Sequence, residues 1–155
     1  MTYDKLTIAA SKVVLNRFLP GDLINAAVDA LSSGLDSRSL RILAGLTLSE
    51  SNEELSMFKQ ALKELDMPLP DQHEAAMFLA RDYAKQILEG DISALEGARR
   101  IWDVSIIPHE HVAELDTFVY GASEWEDRPE DRELFEKGII AAAKGLVNCQ
   151  DDSKH

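Results

Sequence analysis

Apolar residues return every third or fourth position along almost the whole chain, and alternation with a period of two is absent. This pattern predicts amphipathic helices rather than strands. In a first expected helix, about residues 3–18, Ile8, Leu15 and Phe18 share a face with Ser11 before Pro20-Gly21 breaks it. Asp22 then stands where a cap would open a second helix, about 22–33, with Leu23, Ala26, Ala27, Ala30 and Leu31 inward and Gly34 as the stop. Asp36 or Ser37 opens a third, short helix carrying Leu40, Leu43 and Ala44, which closes at Gly45.

Ser51 with Glu54 has the spacing of a capping box for a fourth helix lined by Leu55, Phe58, Leu62 and Leu65. Pro68 and Pro70 end it, and Asp71 with Glu74 repeats the box for a fifth helix with Ala76, Ala80, Tyr83 and Ile87 as its stripe. After Gly90-Asp91, a sixth helix places Ile92, Leu95, Ala98 and Trp102 on one side. Pro108 suits the first turn of a seventh, with Val112, Leu115 and Val119 inward. Pro129 opens an eighth, with Leu134, Ile139, Ala142 and Leu146.

The expected fold is therefore all-α, a compact bundle of about eight short helices forming one domain over residues 1–148, with a polar tail at 149–155. A faint echo at an offset of 69 residues sets Phe18, Gly21 and Asp22 opposite Ile87, Gly90 and Asp91, as two weakly similar helical-hairpin units would. Glycines 97, 138 and 145 fall inside helical patterns, where glycine costs roughly 1 kcal/mol against alanine. Close helix packing is the expected compensation.

At 155 residues and 45% hydrophobic content, the chain can bury a core without disulfides or a structural metal. Cys149 is its single cysteine, which points to a reducing compartment. Lys12, Asn16 and Arg17 interrupt the N-terminal apolar stretch, so no leader pattern forms, and a cytoplasmic protein is expected.

Charge changes the picture more. The net charge is −12, and residues 104–155 carry 12 acidic against 5 basic side chains. Such a field repels nucleic-acid phosphates and anionic lipid headgroups and favours a basic protein partner. No sustained heptad indicates an oligomer.

The stretch GDLINAAVDALSSGLDSRSLRILAGL, Gly21 to Leu46, resembles segments of small uncharacterised all-helical bacterial proteins. QILEGDISALEGARRIW, Gln86 to Trp102, is similar to them in the same way. The resemblance covers about a quarter of the chain, supports the helical reading, and implies no catalytic or binding residue.

Candidate chemistry is sparse. His109-Glu110-His111 with Glu114 and Asp116 has metal-ligand side chains. On a continuous helix, however, residues two apart point about 200° apart, so His109 and His111 could not share an ion. His111 with Glu114 remains as a two-ligand pair. Neither His73-Glu74 nor His109-Glu110 continues as the H-E-x-x-H metalloprotease pattern, and no cofactor is expected. Ser56-Met57-Phe58-Lys59 matches S-x-x-K without the companion motifs of the β-lactamase group. The partner-binding candidate is EWEDRPEDRELFE, Glu124 to Glu136, where Trp125 lies among Glu126, Asp127, Glu130, Asp131 and Glu133. A tryptophan ringed by carboxylates has the composition of an interface anchor with steering charge. If Trp125 instead continues the stripe of Leu115 and Phe118, it belongs to the core.

The expectation is a non-enzymatic interaction or regulatory module that binds a basic partner. The alternative is a metal-dependent enzyme with a helical pocket involving His109 and His111.

Overall fold

The computed structural model describes residues 2–152, with side-chain surroundings for 5–50 and 52–148. Among the described residues the chain forms helices and no strand. They are α1 (Thr2–Val14), α2 (Asp22–Ser32), α3 (Arg38–Ala44), α4 (Ser51–Glu64), α5 (Gln72–Glu89), α6 (Ala94–Ser105), α7 (Asp116–Glu124) and α8 (Arg132–Asp152). Short 3₁₀ turns at Leu48–Glu50, Ala113–Leu115 and Pro129–Asp131 lead into α4, α7 and α8. No helix among the described residues is long and apolar enough to cross a membrane. The Cys149 side chain lies outside the described residues, while the α8 backbone continues through the expected tail as far as Asp152.

The chain divides into two units, Met1–Ala75 and Ala76–His155. In the first, small residues let the helices approach closely. Ala9 and Ala10 of α1 and Ala26, Ala27 and Ala30 of α2 are buried with Leu6, Leu23, Leu40, Leu43, Phe58 and Leu62. The buried Ser11 hydroxyl donates back to the Thr7 carbonyl at 2.8 Å, so α1 carries no orphaned hydroxyl there.

Helix α4 reaches the N-termini of two other helices in this unit. Gly21, the N-cap of α2, is left-handed (φ 95°) and has no side chain with which to cap. The Glu54 carboxylate, only 2% exposed, fills that role. Its Oε1 accepts from the amides of Gly21, Leu23 and Ile24 at 3.1, 3.0 and 3.3 Å. Glu54 thus points inward to the start of α2, while the Ser51 side chain of the expected capping box lies outside the described residues. A helix N-terminus offers free amides and a positive dipole end, so a buried carboxylate finds there the partners it needs. Asp22, expected as the cap, instead accepts the Leu19 amide from the turn before it at 2.8 Å.

One helix further on, Glu64 accepts the Ser39 amide at 2.9 Å and the Ser39 hydroxyl at 2.6 Å at the start of α3. The Ser39 hydroxyl first, and its amide second, pull the Glu64 carboxyl from 4.5 down to about 2. A folded value below the unfolded one stabilises the fold fully above about pH 4.5, and that stabilisation is lost as pH falls towards 2. Urea midpoints measured across this range should converge for the parent chain and Glu64→Gln as the pH drops. A constant gap would refute the assignment.

The second unit packs Met77, Ala80, Ala84 and Ile87 of α5 against Ala98 and Ile101 of α6, Phe118 and Ala122 of α7, and Ile139, Ala143 and Leu146 of α8. Ser93 caps α6 through the Glu96 amide at 3.0 Å. At the start of α5, still within the first unit, Asp71 and Glu74 form the expected reciprocal box, with amide-to-carboxylate distances of 2.8 and 3.2 Å. Gly97 is a packing glycine as expected, since a Cβ there would lie 2.3 Å from Ile87 Cδ1. At Gly138 only Thr117 Cγ2 comes near, at 3.8 Å, and Gly145 meets nothing within 4 Å, so close packing does not account for these two.

The sequence echo has a structural counterpart. Gly21 and Gly90 both adopt positive φ, 95° and 81°, ahead of the second helix of each unit. The last three helices of each unit also touch pairwise, α2, α3 and α4 in one and α6, α7 and α8 in the other.

Two expected helix bounds and two expected faces shift. Helix α1 ends at Val14, with Asn16 left-handed at φ 57°. The buried face of α6 is Gly97, Ala98, Ile101 and Val104, which leaves Trp102 on the outer side. In α8, Phe135 takes the core and its neighbour Leu134 faces water, because adjacent helical residues cannot share a face. The seventh helix starts at Asp116 rather than Pro108, and the intervening loop carries a left-handed His109 (φ 58°).

Candidate functional site

The acidic segment 124–136 spans the end of α7, a turn and the start of α8. Much of it is engaged within the unit. Trp125 is half-buried beneath Arg132, whose guanidinium lies 5.6 Å from the indole centre and whose Nε donates to the Trp125 carbonyl at 2.9 Å. Glu126 receives Arg99 of α6 at 3.2 Å and Arg132 at 3.3 Å. Asp131 pairs with Arg128, which also donates to the Tyr120 hydroxyl at 2.7 Å and lies over the Phe135 ring. Asp131 first, and Tyr120 second, raise the Arg128 pKa above its ordinary value.

Trp125, Glu126 and Asp131 are thus brought together with arginines, as parts of the clamp that joins α6, α7 and α8. Asp127, Glu130 and Glu133 face solvent, the last in an exposed pair with Lys137 at 3.4 Å. Exposed pairs of that kind contribute little to stability.

Beside this clamp runs a groove of about 250 Å³ between α7 and α8, lined by Thr117, Tyr120, Gly121, Arg128, Leu134 and Phe135. Tyr120 and Phe135 meet edge to face, ring centres 5.7 Å apart. Leu134 is 66% exposed and Tyr120 51%. The sequence reading missed this groove because it counted Leu134 as core. The available signal was that Leu134 and Phe135 are adjacent, so one of them had to turn outward.

The histidine cluster lies on the loop before α7. Because these residues are not helical, spacing on a helix does not govern them. His111 Nε2 sits 2.8 Å from Asp116 Oδ1, so the carboxylate that orients this imidazole is that of Asp116 rather than Glu114. Among the described residues, no group of three or more His, Cys, Asp or Glu side chains is arranged to hold a metal ion. His73 is exposed in the first turn of α5, and the Ser56 hydroxyl donates to the Glu53 carbonyl at 3.4 Å. Next to the His111–Asp116 pair opens a second cleft, of about 300 Å³, walled by Trp102, Ile106, Val112, Leu115 and Val119. Helix α7 contributes residues to both hollows.

No family model, curated protein or solved structure matches this chain. Function therefore has to be read from the two hollows. One is a largely apolar groove whose charged lining residue is Arg128. The other has an apolar floor with carboxylates and imidazoles at its mouth.

Proposed function

We propose that this chain is a non-enzymatic interaction module of the cytoplasm that docks a basic helix of a partner protein along the α7–α8 groove. One observation carries the reading: Leu134 and Tyr120, 66% and 51% exposed, flank an open apolar groove that adjoins the acidic segment 124–136. Large apolar groups exposed beside a hollow are what a partner's side chains bury. The surrounding charge selects the partner. Residues 104–155 carry 12 acidic and 5 basic side chains, which speeds encounter with a cationic surface and opposes nucleic acid. Steering belongs to Asp127, Glu130 and Glu133, which face solvent, and affinity belongs to the apolar pair.

A synthetic amphipathic helix of leucine and lysine supplies the probe, and a serine–lysine peptide of equal charge supplies its control. The leucine peptide should shift the amides of Tyr120, Leu134 and Gly138 in a salt-sensitive titration. Leu134→Ser should weaken it by roughly tenfold or more, since burying a leucine contributes about 1.5–3 kcal/mol. Glu130→Lys with Glu133→Lys should slow association and flatten the salt dependence. Equal binding of the two peptides, or shifts confined to other surfaces, would sink the proposal.

A further inference from the structure

Helix α6 buries Ala98, Ile101 and Val104, yet Trp102 and Ile106, four residues apart on its outer side, remain 38% and 59% exposed. Both line the cleft of about 300 Å³, and Val112, Leu115 and Val119 complete its apolar surface. That volume lies at the small end of the range for small-molecule sites. His111 and Asp116 belong to the same lining. Nε2 of His111 sits 2.8 and 3.0 Å from the two oxygens of Asp116, so this carboxylate is engaged through both. An ionised carboxylate only accepts, which holds the imidazole proton on Nε2 and leaves Nδ1 of the neutral ring as a bare lone pair. Among the described residues, nothing donates to that nitrogen.

We propose that this cleft binds a small uncharged phenol, its ring laid along Trp102 and Ile106 and its hydroxyl donating to Nδ1 of His111. Three features select that chemistry. An aromatic ring gains on an indole both the burial of its apolar area and a stacked or edge-to-face contact. The lone pair left on the imidazole calls for an O–H group, and a phenol donates more strongly than an aliphatic alcohol. The carboxylates of Glu110 and Asp116 in the lining, within a segment of 12 acidic and 5 basic side chains, repel an anion, so the ligand has to be un-ionised. Asp116 is a positioning residue, acting on the ligand through His111. This site uses none of the α7–α8 groove side chains, so it stands or falls independently of partner docking.

In the full chain, para-cresol should move the amide resonances of Ile106, Val112 and Val119 saturably. It should also move the Nδ1 resonance of His111 in a nitrogen spectrum, as a lone pair does on accepting a hydrogen bond. Para-fluorotoluene has the same shape without a donor. It should bind roughly three- to tenfold more weakly and leave the Nδ1 resonance in place. Para-toluate should not bind. His111→Phe should bring para-cresol down to the affinity of para-fluorotoluene, whereas Ile106→Ser should weaken both. Asp116→Asn, whose amide can also donate to Nε2 and so release the tautomer, should narrow the gap between the two ligands. The ligand series needs no substitution, so it decides the matter even where a variant folds poorly. The absence of saturable shifts at those amides, equal affinity for the two ligands, or an unmoved Nδ1 resonance would each overturn the proposal. So would tighter binding of a blocked Ala-Tyr-Ala peptide than of para-cresol, since the cleft would then be a pocket for a partner's tyrosine.

Discussion

Replacing Glu54 by alanine is expected to destabilise the first unit by about 3–4 kcal/mol, as the amides of Gly21, Leu23 and Ile24 lose their shared acceptor. An ordinary cap removed from an exposed helix start costs about 1 kcal/mol, because water replaces it. Here the carboxylate is 2% exposed, and Gly21 has no side chain that could substitute. Water entering the space left by the side chain recovers part of the loss, which keeps the figure below the sum of three unsatisfied donors, each about 1–3 kcal/mol. Glu54→Gln retains one acceptor but turns a donor towards amide hydrogens and removes the charge–dipole attraction, so about 2 kcal/mol is expected. Typical stabilities of about 0.05–0.15 kcal/mol per residue make the alanine change large for a unit of this size. Urea unfolding, together with hydrogen exchange at those three amides, measures it. A loss below about 1 kcal/mol, with exchange unchanged, would mean that α2 holds its start by other means.

Phe118→Ala should cost the second unit about 4 kcal/mol. The ring is fully buried at the centre of this core, and truncating a buried phenylalanine typically costs about 3–5 kcal/mol through lost burial and the cavity left behind. Helix α7 has nine residues, too few to stand alone in water, so Leu115, Phe118 and Ala122 hold it. For a unit of this size, each 1 kcal/mol lowers Tm by about 4–8 °C, so the melting temperature should fall by roughly 15–30 °C. Because α7 carries Asp116 and Val119 on one side and Thr117 and Tyr120 on the other, both hollows should lose their ligands together. Calorimetry and the two titrations test this. A shift under about 5 °C, or one hollow surviving intact, would show that α7 is held by contacts other than this ring.

Two glutamates at helix starts of the first unit show where local reasoning stops. Asp71 with Glu74 and Ser51 with Glu54 have the same spacing; the first closes as a reciprocal box, whereas the Glu54 carboxylate turns to the start of α2. The difference does not lie within the motif. Glu54 sits opposite a helix start whose N-cap is glycine, 33 residues earlier in the chain, and the uncapped amides there draw the carboxylate inward. Trp125 was legible as a special residue, but its position under Arg132, against a clamp closed by Arg99 of α6, depends on three helices meeting. His111 with Asp116 was present among the clustered residues, yet the geometry that pairs them is that of a loop, for which helical spacing has no meaning.

Helix content, the number of helices and most of their breaks were determined by the sequence itself. Proline, glycine, serine caps and the three-to-four spacing all act within one or two turns, so neighbours in the chain suffice to decide them. Which of two adjacent apolar side chains turns inward, which carboxylate caps which helix, and where the hollows open were decided by tertiary packing. Each of those outcomes is a competition between groups far apart in sequence for the same buried space or the same free amide, and only the packed helices bring the competitors together.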